Sequence, residues 1–110
     1  MMRASDLVTR IDEMCDRASE DRSGERLLGE MEALLAEGYA EALASEARSR
    51  RLAQRLERLV ESVDQPEAAV EIRRIAPEKR GLDDEVSVLR DRLSVMREEF
   101  VRLRARVRSG

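Results

Sequence analysis

The sequence predicts an all-α protein: an antiparallel coiled-coil helical hairpin, with a long helix over about 24–64, a returning helix over about 82–108 and a short N-terminal helix over about 5–20. Three observations predict it. Charged residues make up 41% of the chain and apolar ones 42%, with one Tyr, one Phe and two prolines in 110 residues. That composition suits helices with one apolar face and suits a sandwich or barrel poorly. Leu82, Val86, Leu89, Leu93, Met96, Phe100, Leu103 and Val107 follow one another at spacings of 4, 3, 4, 3, 4, 3 and 4, a heptad seam that buries a narrow stripe against a partner helix. Leu52, Leu56, Leu59 and Val63 repeat the 4, 3, 4 spacing upstream and continue backwards through the small residues Ser49, Ser45, Ala42 and Gly38.

The length allows a single helical domain with a thin core. Within it, residues 1–23 hold the first helix and a linker. Leu7, Ile11, Met14 and Ala18 share a face, and Ser5 or Asp6 is available as an N-cap. Ser23-Gly24 is a break, with Ser23 placed to cap the next helix, although an uninterrupted helix would cost only about 1 kcal/mol for the glycine. The long helix, 24–64, begins with Leu27, Leu28, Met31, Leu34 and Leu35. It carries a second, alanine-rich face of Ala33, Ala36, Ala40, Leu43, Ala44 and Ala47, with Tyr39 at its edge. Asp64-Gln65-Pro66 stops it, because proline lacks the amide donor and clashes with the preceding turn. Residues 65–81 read as a connector bounded by Pro66 and by Pro77 to Gly81. Pro66 to Ile75 can be a short helix with Asp64 as cap, or a lone strand through Val70 and Ile72. Asp83-Asp84-Glu85 then opens the heptad helix, 82–110, where the helix dipole favours acids, and Arg102, Arg104, Arg106 and Arg108 close it where the dipole favours cations.

Folding the last helix back with Val63 opposite Leu82 sets Leu59 against Val86, Leu56 against Leu89, Leu52 against Leu93, Ser49 against Met96, Ser45 against Phe100, Ala42 against Leu103 and Gly38 against Val107. Small side chains then face large ones, as a close-packed interior of fixed width requires. Glu41 falls near Arg106, Arg48 near Glu99 and Glu46 near Arg97, while Arg55 falls near Arg92. The rival arrangement, a parallel homodimer of the last helix, would leave the Leu52 to Val63 seam without a partner. In the hairpin the last helix ends near residue 38, so Leu27, Leu28, Met31, Leu34 and Leu35 overhang and expose more apolar surface than a monomer usually tolerates. The first helix is expected to cover part of it, with Ile11 near Leu34 and Leu35. The remainder, with Tyr39, Leu43, Val88, Val95 and Val101, is the expected dimer or partner surface.

Charge is uneven: residues 1–46 carry 12 acidic and 5 basic side chains, a balance of −7, and residues 47–110 carry 12 and 16, a balance of +4. The two halves attract, which favours contact within or between copies before contact with an external acidic partner. Chemistry finds little foothold. There is no histidine, and Cys15 is the only cysteine, so neither an intrachain disulfide nor a Cys/His zinc site can form within one chain. Cys15 lies among Leu7, Val8, Ile11 and Met14, where it reads as a packed hydrophobe. No glycine-rich phosphate loop or nucleophile motif appears, and the acid pairs read as solvated helix faces. The expectation is therefore no enzyme, no cofactor, no metal and no small-molecule ligand. Nucleic acid is disfavoured too, because Asp91, Glu98 and Glu99 interrupt the arginine stripe Arg90, Arg97, Arg104 and no aromatics interleave with it. Without an apolar leader or spanning run, no membrane partner is expected and the cytoplasm is the default location.

The stretch Leu34-Leu35-Ala36-Glu37-Gly38-Tyr39-Ala40-Glu41-Ala42-Leu43, followed by Glu46 to Leu59, resembles small flagellar export chaperones over about a third of the chain, without a discriminating motif. The resemblance implies an all-helical chaperone that holds an amphipathic client helix, with the Leu27 to Leu35 overhang as its groove. An acidic hairpin tip at Asp83-Asp84-Glu85 would be similar to those of secondary-channel transcription factors, but the residues match no tip motif of theirs. The readings in hand are a homodimeric structural or adaptor module, a binding chaperone, and, third, a nucleic-acid binder.

Overall fold

The computed structural model describes residues 4–20 and 24–109. All of its regular structure is helical: α1 spans Ala4–Glu20, α2 Gly24–Glu61 and α3 Pro66–Ser109. The molecule is a rod, 67 × 20 × 18 Å. Helix α1 is already helical at Ala4, so Ser5 and Asp6 sit in its first turn rather than capping it. The expected cap at Ser23 lies outside the described residues, as does the side chain of Ala18.

Helices α2 and α3 run in opposite directions. Glycines fix their register, because a methyl group added at Gly38 would overlap Leu93, and one added at Gly24 would overlap Val107. These contacts correct the expected pairing. Gly38 meets Leu93 rather than Val107, a displacement of two heptads along α3. The cause is the segment 65–81, which is not a connector: α3 starts at Pro66 and runs unbroken through Pro77 and Gly81. Only 62–65 turn the chain, with Gln65 N donating to Ser62 O at 3.0 Å and Ala68 N to Gln65 O at 3.1 Å. Of the two alternatives for Pro66 to Ile75, the helix forms. A mid-helix proline costs about 3 kcal/mol, and Pro77 sits on the exposed side, where its ring displaces no packing. Against that cost, α3 buries Ala68 and Ile75 against α2.

A slip of whole heptads keeps every side chain on its face, so the matching of small to large survives in the new register. Gly38, Ala42, Ser45 and Ser49 now run against Leu93, Leu89, Val86 and Leu82. Toward the turn, Leu56 and Leu59 run against Ile75 and Ile72.

Helix α1 folds back along α2, with Arg10 3.4 Å from Glu37 and Arg17 3.3 Å from Glu30, and also lies against α3, with Arg92 3.0 Å from Asp12. Leu7, Ile11 and Met14 join Leu27, Met31, Leu34, Leu89, Leu93, Met96 and Leu103 in one core. The rod therefore has two parts: a three-helix base, and a two-helix arm over roughly 50–81 that projects beyond α1.

Candidate functional site

Among the described residues the candidate site lies on the surface. The first expected surface is closed. Leu27, Met31 and Leu34 are at most 1% exposed, and Leu28 and Leu35 are half-buried against the same core. Because α3 starts sixteen residues earlier than expected, its end reaches Gly24 instead of Gly38, and Met96, Leu103 and Val107 cover what would have overhung. The groove that a client helix would need is filled by the chain's own last turns. Likewise Asp83-Asp84-Glu85 is no tip. It lies midway along α3, where Asp83 accepts hydrogen bonds from Lys79, at 2.7 Å, and from Ser49 of α2.

Of the expected seam, Ala42, Ser45, Ser49, Val86, Leu89, Leu93, Met96 and Leu103 are buried, while Leu52, Leu56, Leu59, Leu82, Phe100 and Val107 are half-buried. Val63 departs from expectation. It stands in the turn and is 61% exposed, because the chain reverses there and leaves nothing across from it. The expected ion pairs move with the register: Glu46 pairs with Arg90 rather than Arg97, and Arg48 lies 3.9 Å from Glu41. Arg55 sits 2.8 Å from Glu71, which removes the unfavourable neighbour Arg92.

Among the described residues, three apolar surfaces stand out as open. The arm tip presents Val60, Val63 and Val70, each about three-fifths exposed. Between Arg58 and Arg73 the charged side chains are Glu61, Asp64, Glu67 and Glu71, and Glu71 is held by Arg74 and Arg55, so the tip is both apolar and acidic. The second surface is the back of α3 with Val88 and Val95, where Ala4, Val8 and Val88 line a shallow depression of about 320 Å³ with Ser5, Asp84 and Glu85 at its rim. The third is the outer side of α2, with Leu43 61% exposed and Tyr39 half-buried beneath Arg90, whose guanidinium carbon stands 5.9 Å from the ring centroid. Leu43, Val88 and Val95 are thus open as the sequence predicts. The tip valines Val60 and Val70 are not singled out by the sequence reading, which places Val70 in a connector. The signal that finds them is the continuation of the heptad upstream through Ala68, Ile72, Ile75 and Leu82, which makes 66–81 helical and turns Val70 outward.

Burial pushes the Cys15 thiol above its ordinary value, and the carboxylates of Glu99, Asp12 and Asp16 push it further. The thiolate is disfavoured, as for a packed sulfur. Among the described residues no group of three or more Cys, Asp or Glu side chains is placed to hold a metal, and no helix is long and apolar enough to cross a membrane.

Comparison with known proteins supplies no relative: no family model, curated protein or solved structure matches this chain.

Proposed function

We propose that this chain is a non-enzymatic coiled-coil protein–protein interaction module, a homodimeric structural or adaptor protein of the cytoplasm. The observation that carries the reading is the arm. Two helices project past the third and end in three solvent-facing valines, Val60, Val63 and Val70, on an acidic background. Apolar side chains held at the far end of a rod contribute nothing to the core of the base, and exposed apolar groups rimmed by charge are the usual surface of a binding site. The arm acts as the reach of the module and the base as its anchor.

Light scattering on the purified chain tests the homodimer. A doubled mass at micromolar concentration is the expected result, and a monomer up to about 100 μM, the weak end of specific association, removes it. The adaptor half is tested by replacing Val60, Val63 and Val70 with serine. The triple variant keeps its helicity and loses partners captured from the native host, whereas an unchanged set of partners would move the binding site off the tip.

A further inference from the structure

The hairpin of α2 and α3 has two long grooves, and α1 fills one of them only. Its ion pairs identify which: Arg10 with Glu37, Arg17 with Glu30 and Asp12 with Arg92 place α1 on the flank that carries Glu30, Glu37 and Arg92. The opposite flank is marked by Glu46 paired with Arg90, and by Arg90 over Tyr39. Helical periodicity extends that flank in both directions. On α2 it carries Glu25, Glu32, Tyr39 and Glu46, one heptad apart, with Leu28 and Leu35 beside them. On α3 it carries Arg90, Arg97 and Arg104, again one heptad apart, with Ser87, Ser94 and Val101. Along the arm the same groove is lined by Ala53 and Val60 of α2 and by Ala69, Ile72 and Ala76 of α3, and where the arm meets the base the same columns carry Lys79 and Asp83, which pair with each other.

One wall of this groove is thus an acidic column and the other a basic one. Glu25, Glu32 and Arg97 make no ion pair within the described residues. The walls complement each other, not themselves, and that sets the symmetry of any self-association. Rotation about an axis running along the rod carries the α2 wall of one copy onto the α3 wall of the other at the same height. In the register fixed by Gly38 and Leu93, Glu32 then faces Arg97 of the second copy, Glu25 faces Arg104, and Val60 faces Ile72. Rotation about an axis across the rod would instead stack α3 on α3 and bring arginine toward arginine. The available strip, about 60 Å by 15 Å, offers roughly 900 Å² from each copy, close to the share of each partner in a standard stable interface. Helix α1, on the far side, obstructs none of it.

We infer that a second copy of this chain seats in the groove opposite α1, with the two-fold axis along the rod and both arm tips pointing the same way. This rests on the homodimeric reading above and assigns its surface and polarity. The product is a four-helix bundle of alternating helices flanked by the two α1 helices; it takes Val60 into the interface and presents Val63 and Val70 of both copies at one end.

Two measurements on the full chain test it. Spin labels at Ser109→Cys in a Cys15→Ala background, at the base end, lie within about 40 Å of each other in the aligned dimer, set by the cross-section of two rods each 20 × 18 Å. Either antiparallel arrangement, over the whole rod or through the arms, separates them by about 60 Å or more, which would overturn the inference while leaving the homodimer standing. A monomer would overturn both. The second measurement mixes charge variants. Glu32→Arg and Arg97→Glu each weaken self-association about tenfold or more, and an equimolar mixture of the two chains restores it, because only the mixed dimer pairs opposite charges at both sites. A mixture no tighter than its components would overturn the inference, and an intrachain Glu32–Arg97 effect cannot imitate the rescue.

Discussion

The base and the arm are made of the same two helices, with the same heptad spacing, yet they bury their seams unequally. In the base, Leu89, Leu93 and Met96 are fully buried, as are Met31 and Leu34 opposite and Ile11 of α1. In the arm, Ala68 and Ile75 are buried, but Leu52, Leu56, Leu59 and Ile72 are half-buried, and Val60 is 58% exposed. Two helices touch along a line and shield only the inner side of each seam residue, whereas a third helix closes the remaining side. Stability is therefore concentrated where α1 lies, and the arm is the part of the rod that opens at lowest cost.

The most severe way to break this contrast is to remove a side chain from each region. Leu89→Ala is expected to cost about 2–5 kcal/mol of global stability, as for a fully enclosed leucine. Leu56→Ala, already wet, costs about 1 kcal/mol or less, in proportion to the smaller area it withdraws from water. Urea titration of the two variants reads the difference, and equal losses would show that the arm is as tightly bound as the base. Next in size is Pro77→Ala, which supplies the amide that α3 lacks and is worth up to about 3 kcal/mol of local stability. Hydrogen exchange should slow across the arm, around 70–81, and stay unchanged in the base.

Glycines sharpen the contrast at smaller scale. Gly38 lies against Leu93, so Gly38→Val forces side chains apart and destabilises by about 1–3 kcal/mol. Gly81 has open space where its Cβ would be, so Gly81→Ala stabilises by about 1 kcal/mol through helix propensity alone. Thermal melts distinguish the two signs. The smallest effect is that of pH. Hydrogen bonds from Lys79 and then Ser49 hold the Asp83 carboxyl below its usual range, and the bond from Arg74, with Arg55 adding to it, does the same for Glu71. A depressed folded value means that each group favours the folded state above its unfolded value and loses that contribution as pH falls through the folded one. Both lie in the arm or at its root, so acidification below about pH 4, the ordinary carboxylate range, should raise exchange in the arm before the base. Asp83→Asn should flatten that response.

The all-helical architecture, the antiparallel return of α3 and the docking of α1 were legible because each rests on periodicity, which local sequence carries well. The continuity of α3 through 65–81 is not legible, because Pro77 and Gly81 are strong local signals against a helix and only tertiary burial of Ala68 and Ile75 overrides them. A helix that begins at Leu82 leaves Leu27 to Leu35 overhanging, so a closed core reads as a groove. The matching of small to large residues does not discriminate, since a heptad seam satisfies it equally well after a slip of fourteen residues. Leu43, Val88 and Val95 survived as open surfaces because their distance from the seam does not depend on register. The arginine stripe Arg90, Arg97, Arg104 is legible as spacing, whereas the acidic column through Glu25 and Glu32 acquires meaning only from the position of α1.

The four-residue turn at 62–65 has a further consequence. A seam that repeats every seven residues is a ruler with identical marks, and the turn is where its zero is set. Inserting seven residues into each helix of the arm, on either side of that zero, would leave every contact of the base as it is while carrying the tip about 10 Å farther out. The distance from anchor to tip is thus an adjustable dimension, free to be lengthened or shortened in fixed steps to suit whatever span the module has to bridge.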